Sequence, residues 1–213
     1  MNIKPILVLA LVMAMMAMAG CQTSGNRNPG SQTPGQPAPP QAAEPGNTPV
    51  APGSPNREET ALLQEIARAA QAGKVINCDF AVKSTTFDDI EKAWGEPAQL
   101  QYVGAAKGTY ATYTDRKIVF GFNKGMQVFE VRTSDVEVQK LASGDVKEVL
   151  GEPVMFRTLG SQQMFGYQTG DYRLEFVFNP PADGRSEPVV DHINVFYPAG
   201  TVNMMADDPG RQW

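Results

Sequence analysis

Trp94-Gly95-Glu96-Pro97 and Leu150-Gly151-Glu152-Pro153 are one four-residue pattern written twice, with the glycines 56 positions apart (95 and 151). In each copy a glycine closes a run of helical periodicity, and a proline two residues later bars the helix from resuming. The same offset holds on both sides. Upstream, Asp79-Phe80-Ala81-Val82-Lys83 answers to Asp135-Val136-Glu137-Val138-Gln139. Downstream, Ile118-Val119-Phe120-Gly121-Phe122-Asn123 answers to Leu174-Glu175-Phe176-Val177-Phe178-Asn179. Three matches in one order at one period are the mark of an internal repeat. The expected fold class is α+β: a tandem duplication of a helix plus antiparallel-sheet unit, 79–134 and 135–197, preceded by one helix.

The local signals agree. Asn56 is a plausible N-cap for a helix over 58–72, with Glu58 and Glu59 suiting its positive end and Gly73 closing it. Residues 75–82 read as a short extended stretch. In the first unit Thr86-x-x-Asp89 has the form of a capping box, and Phe87, Ile90 and Trp94 fall on one helical face. Strands are expected near 99–104, 108–114, 117–122 and 126–132. In the second unit a helix near 143–150 precedes strands near 154–159, 163–168, 172–178 and 189–197. Taking Ile193 as the partner of Phe129, the last hairpin of the second unit gains eight residues around Pro180-Pro181-Ala182-Asp183-Gly184-Arg185, where Pro-Pro and Asp-Gly mark an exposed loop.

The N-terminal 57 residues cannot join a core. Lys4 is followed by an uncharged apolar run, Ile6 to Ala19, which is shorter than the roughly 20 residues that span a bilayer. Small residues and then a cysteine follow, so that Met18-Ala19-Gly20-Cys21 resembles a bacterial lipobox in which Met replaces the usual Leu. This reading makes 1–20 a lipoprotein signal peptide and Cys21 the lipidated first residue of the mature chain. The alternative is an ordinary secretory signal cut near Ala17 or Ala19. Residues 22–57 hold nine prolines and almost no large apolar side chain. A stretch of this kind stays extended, and 21–57 is expected to be a disordered tether. The folded domain is then 58–213, long enough to bury a core without staples. If Cys21 is acylated, Cys78 has no disulfide partner, and its apolar neighbours make it a small buried hydrophobe. The net charge of −5 argues against a nucleic-acid partner.

Several stretches resemble the YjgB-type lipoproteins of Gram-positive spore formers. They are Gly108-Thr109-Tyr110-Ala111-Thr112-Tyr113, Phe120-Gly121-Phe122-Asn123-Lys124-Gly125, Phe129-Glu130-Val131-Arg132, and the run from Tyr197-Pro198 to Trp213. The resemblance covers roughly 74–213. It implies a surface lipoprotein whose domain has no established function, offers no catalytic residues, and implies that the tail 198–213 belongs to the domain. More distantly, each unit is similar to the SmpA/OmlA type of outer-membrane-assembly lipoprotein, and two in tandem resemble the β-lactamase-inhibitor protein, an analogy of fold alone.

Candidate chemistry is thin. Asp191 and His192 are adjacent on an expected strand, which would send their side chains to opposite faces and prevent one from orienting the other. Asp88-Asp89 is explained by capping. Asp207 and Asp208 lie near Arg211 in the tail, where an ion pair or a cation site is conceivable, although the ligand density of a calcium loop is missing. No catalytic residue, cofactor or metal is assigned. Alternation puts Ile118, Phe120 and Phe122 toward the helices, with Leu174, Phe176 and Phe178. The opposite face then receives Val119, Glu130, Arg132, Arg173, Glu175, Val177 and Phe196. A mixed charged and apolar face suits protein recognition, and equally suits a sheet that faces water. On either reading its charges are exposed, so replacing Arg132 and Arg173 by Glu would barely change stability. The sides taken by Tyr110 and Tyr113 stay open.

Two function classes follow. One is a non-enzymatic module, lipid-anchored on the outer face of the bacterial cell membrane, that binds an envelope protein, peptide or wall component. The other is an envelope hydrolase with an unrecognised site. The address is testable first. Mass spectrometry of the mature protein is expected to find a diacylglyceryl thioether on Cys21, and Cys21→Ala should abolish both processing and membrane association. Unchanged processing in that variant would refute the lipobox reading.

Overall fold

The computed structural model describes residues 55–104, 106–181 and 187–201. The signal segment, Cys21, nearly all of the tether, the tip of the inserted loop, and the tail residues Met204, Met205, Asp207, Asp208, Arg211 and Trp213 lie outside the described residues.

Helix α1 runs from Arg57 to Gln71 and starts where Asn56 caps it: the Asn56 side chain accepts from the backbone of Glu58 and Glu59, while Glu59 accepts from the Asn56 N–H. Leu63, Ile66 and Ala70 form its buried stripe. Helices α2, Phe87–Trp94, and α3, Ser143–Leu150, are the two motif helices. Each stops at its glycine, Gly95 or Gly151, both with φ near +82°. That backbone conformation is one a side chain resists, which is why the motif needs glycine there. The 75–82 stretch forms no strand. It packs Val75, Ile76, Cys78 and Val82 into the core as an irregular segment.

The described residues form eight strands: β1 Gln99–Val103, β2 Gly108–Tyr113, β3 Ile118–Phe122, β4 Val128–Thr133, β5 Met155–Leu159, β6 Gln162–Thr169, β7 Tyr172–Asn179 and β8 Val189–Phe196. All pair antiparallel in one sheet of order β1-β2-β3-β4-β8-β7-β6-β5. The order reads the same from either edge. The fold is α+β, with one helix ahead of the sheet-bearing segments.

The local bonds of the two halves correspond. Thr86 bridges Gln127, and Ala142 bridges Val189. Phe87 N–H donates to Met126 O, and Ser143 N–H to Pro188 O. The Tyr113 hydroxyl donates to Gly95 O and the Tyr167 hydroxyl to Gly151 O, each at 2.9 Å. The last pair breaks the 56-residue offset, since 113 and 167 are 54 apart. The register explains the slip. Gln99 pairs Thr112 and Met155 pairs Gly166, so the turn joining β5 to β6 is two residues shorter than that joining β1 to β2. Tyr113 pairs Ile118 and Tyr167 pairs Leu174, which restores the offset of 56 in β3 and β7. The closing hairpin departs from expectation as well. Val128 and Val190 hold equivalent places beside Phe122 and Phe178, 62 apart, so the insertion amounts to six residues and Phe129 corresponds to Asp191 instead of Ile193.

All three helices pack on one face of the sheet. There Phe120, Phe122, Val131, Phe176, Phe178, Ile193 and Val195 meet Leu63, Ile66, Phe87, Ile90 and Val146. Trp94 stands at the rim of this core, edge-on to Phe80 and Tyr113 at 5.1 and 5.3 Å, with the Arg116 guanidinium 4.3 Å from its ring. Truncating a fully buried aromatic costs about 3–5 kcal/mol. Because Trp94 is only partly buried, Trp94→Ala is expected to cost about 3 kcal/mol in urea unfolding, and a loss under 1 kcal/mol would show that the motif helix is not anchored through it.

Candidate functional site

Strand alternation carries the polar residues of the central strands to the face that the helices leave. Cross-strand pairing arranges them in rows. Gly121, Glu130, Phe196 and Arg173 form one row; Val119, Arg132, Asn194 and Glu175 form the next; His192 and Val177 continue the grid. All seven residues assigned to a partner-binding face therefore do share one face. Tyr110 joins them from β2. Its ring lies so close over Gly121 that a Cβ there would meet it at 2.9 Å.

The expectation that this face is open does not hold. Glu130, Glu175, Val177, Asn194 and Phe196 are 0% exposed, and Arg173 is 8% exposed. The charges are paired inside it. Arg132 Nε donates to Glu130 Oε1, the Tyr110 hydroxyl donates to Glu130 Oε2, and the Arg132 guanidinium stacks 4.9 Å from the Tyr110 ring. Arg173 lies 3.8 Å from Glu175, whose other oxygen accepts from Asn194 Nδ2. Carboxylates and guanidinium groups this deeply buried are tolerated only with such partners, and breaking one such pair costs about 3–5 kcal/mol. Reversing Arg132 and Arg173 is therefore a core change, not the nearly neutral surface change expected for exposed charges.

The adjacency of Asp191 and His192 is also resolved differently. Val177 pairs His192 while Phe178 pairs Val190, so Asp191 is the extra residue of a β-bulge. A bulge re-aims side chains. Here it brings Asp191 onto its neighbour: His192 Nδ1 lies 2.7 Å from Asp191 Oδ2. Asn179 Nδ2 donates to the other oxygen at 2.8 Å, and Gln162 supports Asn179. The hydrogen bond from His192, then that from Asn179, holds the Asp191 carboxyl below the usual carboxylate range, against an opposing contribution from burial. His192 Nε2 and Asn194 Oδ1 are buried without a hydrogen-bond partner among the described residues. A histidine contacted by a carboxylate at one ring nitrogen has the form of the base half of a catalytic triad. A nucleophile within hydrogen-bonding reach of Nε2 is missing among the described residues.

The other reactive groups are quiet. Burial pushes the Cys78 thiol up to about 11, so little thiolate exists at neutral pH. Asp89 serves the α2 cap. No group of three potential metal ligands occurs among the described residues.

Apart from Val136, the large exposed apolar side chains among the described residues lie elsewhere. Leu100 and Tyr102 on β1 and Val154, Phe156 and Leu159 on or beside β5 are 44–74% exposed. These are the two edge strands of the sheet. Leu100 and Phe156 hold equivalent positions, 56 apart. Neither strand contains proline, and neither shows a register shift against its neighbour. β1 has no charged residue, and β5 has Arg157 alone.

Against known proteins, residues 63–196 match a domain of unknown function, DUF4309. This chain belongs to the DUF4309 family. Its fold is similar to the crystal structure, at 2.13 Å resolution, of a DUF4309 family protein (YjgB) from Bacillus subtilis subsp. subtilis str. 168. The TM-score is 0.51 at 20% identity, covering 67% of this chain and 99% of that one. No curated protein matches the chain. The YjgB resemblance read from the β2, β3 and β4 stretches is thus the family relationship.

The Asp191 network makes a pH prediction. A carboxyl whose pKa is lowered by folding stabilises the fold above its unfolded value, near pH 4, and loses that contribution as the pH falls through the lower folded value. A third of the side chain reaches solvent, so Asp191→Asn is expected to cost only about 1 kcal/mol in urea unfolding at pH 6. The gap to the unmodified chain should shrink toward pH 2.5. A gap that does not vary with pH would remove the charge from the explanation.

Proposed function

We propose that this member of the DUF4309 family is a lipid-anchored, non-enzymatic binding module of the bacterial envelope. In this reading a helix-plus-sheet unit has been duplicated in tandem, and the module holds an extended segment of an envelope protein against an edge strand of its sheet. The duplication is supported by the matching bonds from the Thr86 and Ala142 N–H groups to Asp89 and Asp145, and by the matched bridges and tyrosine–glycine bonds of the two halves. The anchor is supported by the order of charge, apolar run, small residues and Cys21. The observation that carries the binding mode is the pairing of exposed apolar side chains with a strand edge that no described strand covers, at both ends of one sheet. Natural proteins usually blunt such edges with charge, proline or bulges. An unblunted edge offers a row of backbone donors and acceptors to an added strand, with apolar side chains beside it to select the sequence.

An envelope hydrolase is the second reading, and the Asp191–His192 pair with its bare Nε2 is what favours it. The two readings separate in one experiment. A photo-crosslinking residue replaces Tyr102 or Phe156 in the full chain expressed at the cell surface, and crosslinked peptides are mapped by mass spectrometry. The expected product is a defined segment of a different polypeptide at both positions. Tyr102→Lys or Phe156→Lys, introduced as the partner edge change, should lose that segment while altering stability by no more than about 0.5 kcal/mol. Crosslinks to a second copy of this chain only, or turnover of wall or peptide material that disappears in His192→Ala, would overturn the binding-module reading.

A further inference from the structure

The buried charges of the far face require a cover. The three α-helices line the opposite face, and none of their residues belongs to the aromatic cluster of Tyr110, Phe129 and Phe196 on this one. A phenylalanine standing on an uncovered sheet keeps its ring edge in water, and a glutamate there keeps its carboxylate hydrated. Phe196, Glu130 and Glu175 do neither, at 0% exposed. Val177, Met164 and Asn194, on the same face across β6, β7 and β8, are also 0% exposed. Asn194 Oδ1 and His192 Nε2 point into this side with no hydrogen-bond partner among the described residues. A packed apolar side chain would cover such atoms without satisfying them, whereas a polypeptide backbone brings both donors and acceptors.

The chain itself leads to this place. After β8, the Tyr197 N–H donates to Phe129 O, and Pro198–Gly200 turn tightly. The Gly200 carbonyl accepts from Asn123 Nδ2 at 2.8 Å, and a Cβ on Gly200 would come within 2.9 Å of the Phe129 Cβ. Thr201 therefore departs beside a member of the far-face cluster. Twelve residues follow it, Val202 to Trp213. Extended, they reach about 40 Å. Crossing from β4 to β6 needs only about 15 Å at the usual strand spacing. They also fit by chemistry. Met204, Met205 and Trp213 would supply large apolar surface for Val177, Met164 and Phe196, while Asp207, Asp208 and Arg211 would offer both signs of charge to a face built from Glu130, Arg132, Arg173 and Glu175.

We propose that residues 202–213 are the cover: an intramolecular ligand that docks on the far face of the sheet and makes it a second core. The face once considered for partners is then internal, which leaves the strand edges for binding. The proposal stands or falls separately from that binding mode.

The test uses the full chain with Cys21→Ser. Trp94 and Trp213 are its two tryptophans, so Trp94→Phe leaves Trp213 as the only reporter. Its emission is expected to be blue-shifted relative to urea-unfolded chain, and iodide should quench it several-fold less than it quenches a free tryptophan analogue. Hydrogen exchange should show slowed amides within 202–213. A second variant ends at Thr201. It should melt well below the parent, and a synthetic peptide of residues 202–213 added in trans should restore much of the loss. If the shortened chain fails to fold, the fluorescence and exchange results on the full-length protein decide. Free-solvent quenching of Trp213 together with fast exchange throughout 202–213 would overturn the proposal. So would a shortened chain that melts with the parent and ignores the peptide.

Discussion

The pairing of β4 with β8 is the constraint on which this architecture depends. Four residue pairs, from Glu130 with Phe196 to Thr133 with Ile193, join what would otherwise be two four-stranded sheets. Each of those would have two edges, and the inner edges would be β4 and β8. Joining them hides Val131, Ile193 and Val195 beneath the helices and leaves only the short strands β1 and β5 at the rims. An antiparallel seam also brings the equivalent positions of the two halves around one point. The charged residues therefore concentrate there: Arg132 lies across from Asn194, whose neighbour on the other side is Glu175.

That concentration tests a common inference about sheets. Alternating apolar and charged residues read as one buried face and one solvated face, and in many antiparallel sheets that is correct. Here the same alternation describes a face whose carboxylates are fully buried and internally bonded. Glu130 accepts from Arg132, two residues along β4, and from the Tyr110 hydroxyl, which reaches over Gly121 of β3, so its charge is met by a cation and a hydroxyl. Such a network adds little net stability compared with an apolar core. It does penalise any shift of register at the seam, because a one-residue slip would carry each charge to the helix side. The polar seam thus acts on which pairing forms more than on how strongly it holds.

The correspondence between the two halves is legible in the sequence, and its departures are not. Wherever the two halves keep equal length, the 56-residue offset reads through: the capping positions Thr86 and Ala142, the glycine stops, and the apolar alternation of β3 and β7. It fails where two changes cancel. The turn between β5 and β6 is shorter by two residues and that between β6 and β7 restores them, so the flanking matches stay in phase while β2 and β6 slide by two. That slide is why the shared tyrosine-to-glycine bond, Tyr113 to Gly95 and Tyr167 to Gly151, does not show at the 56-residue offset. The bulge at Asp191 was hidden for a different reason. Its counterpart at Phe129 is apolar, and nothing in a string of letters marks the one residue that leaves the two-residue period. The Asp191–His192 contact follows from that single irregularity.

The two rims invert this logic. In the middle of the sheet polar side chains are buried, and at its edges apolar ones are exposed, the reverse of what burial alone would choose. Leu100 and Phe156 sit at equivalent positions, so the same exposure arises in both halves. Exposed edges invite indiscriminate strand addition, and shortness is one of the remedies. Five residues expose only a few outward donors and acceptors, too few for a stable pairing with an arbitrary chain. On the proposed binding mode, an incoming strand would also have to match Leu100 and Tyr102, or Phe156 and Leu159, to gain enough apolar contact to stay. Backbone bonds would then supply a contact that any sequence can make, and the side chains beside them the selection. A sheet whose centre is fixed by buried charge pairs holds that edge rigid while it does so, which lowers the ordering cost that a flexible binding loop would add.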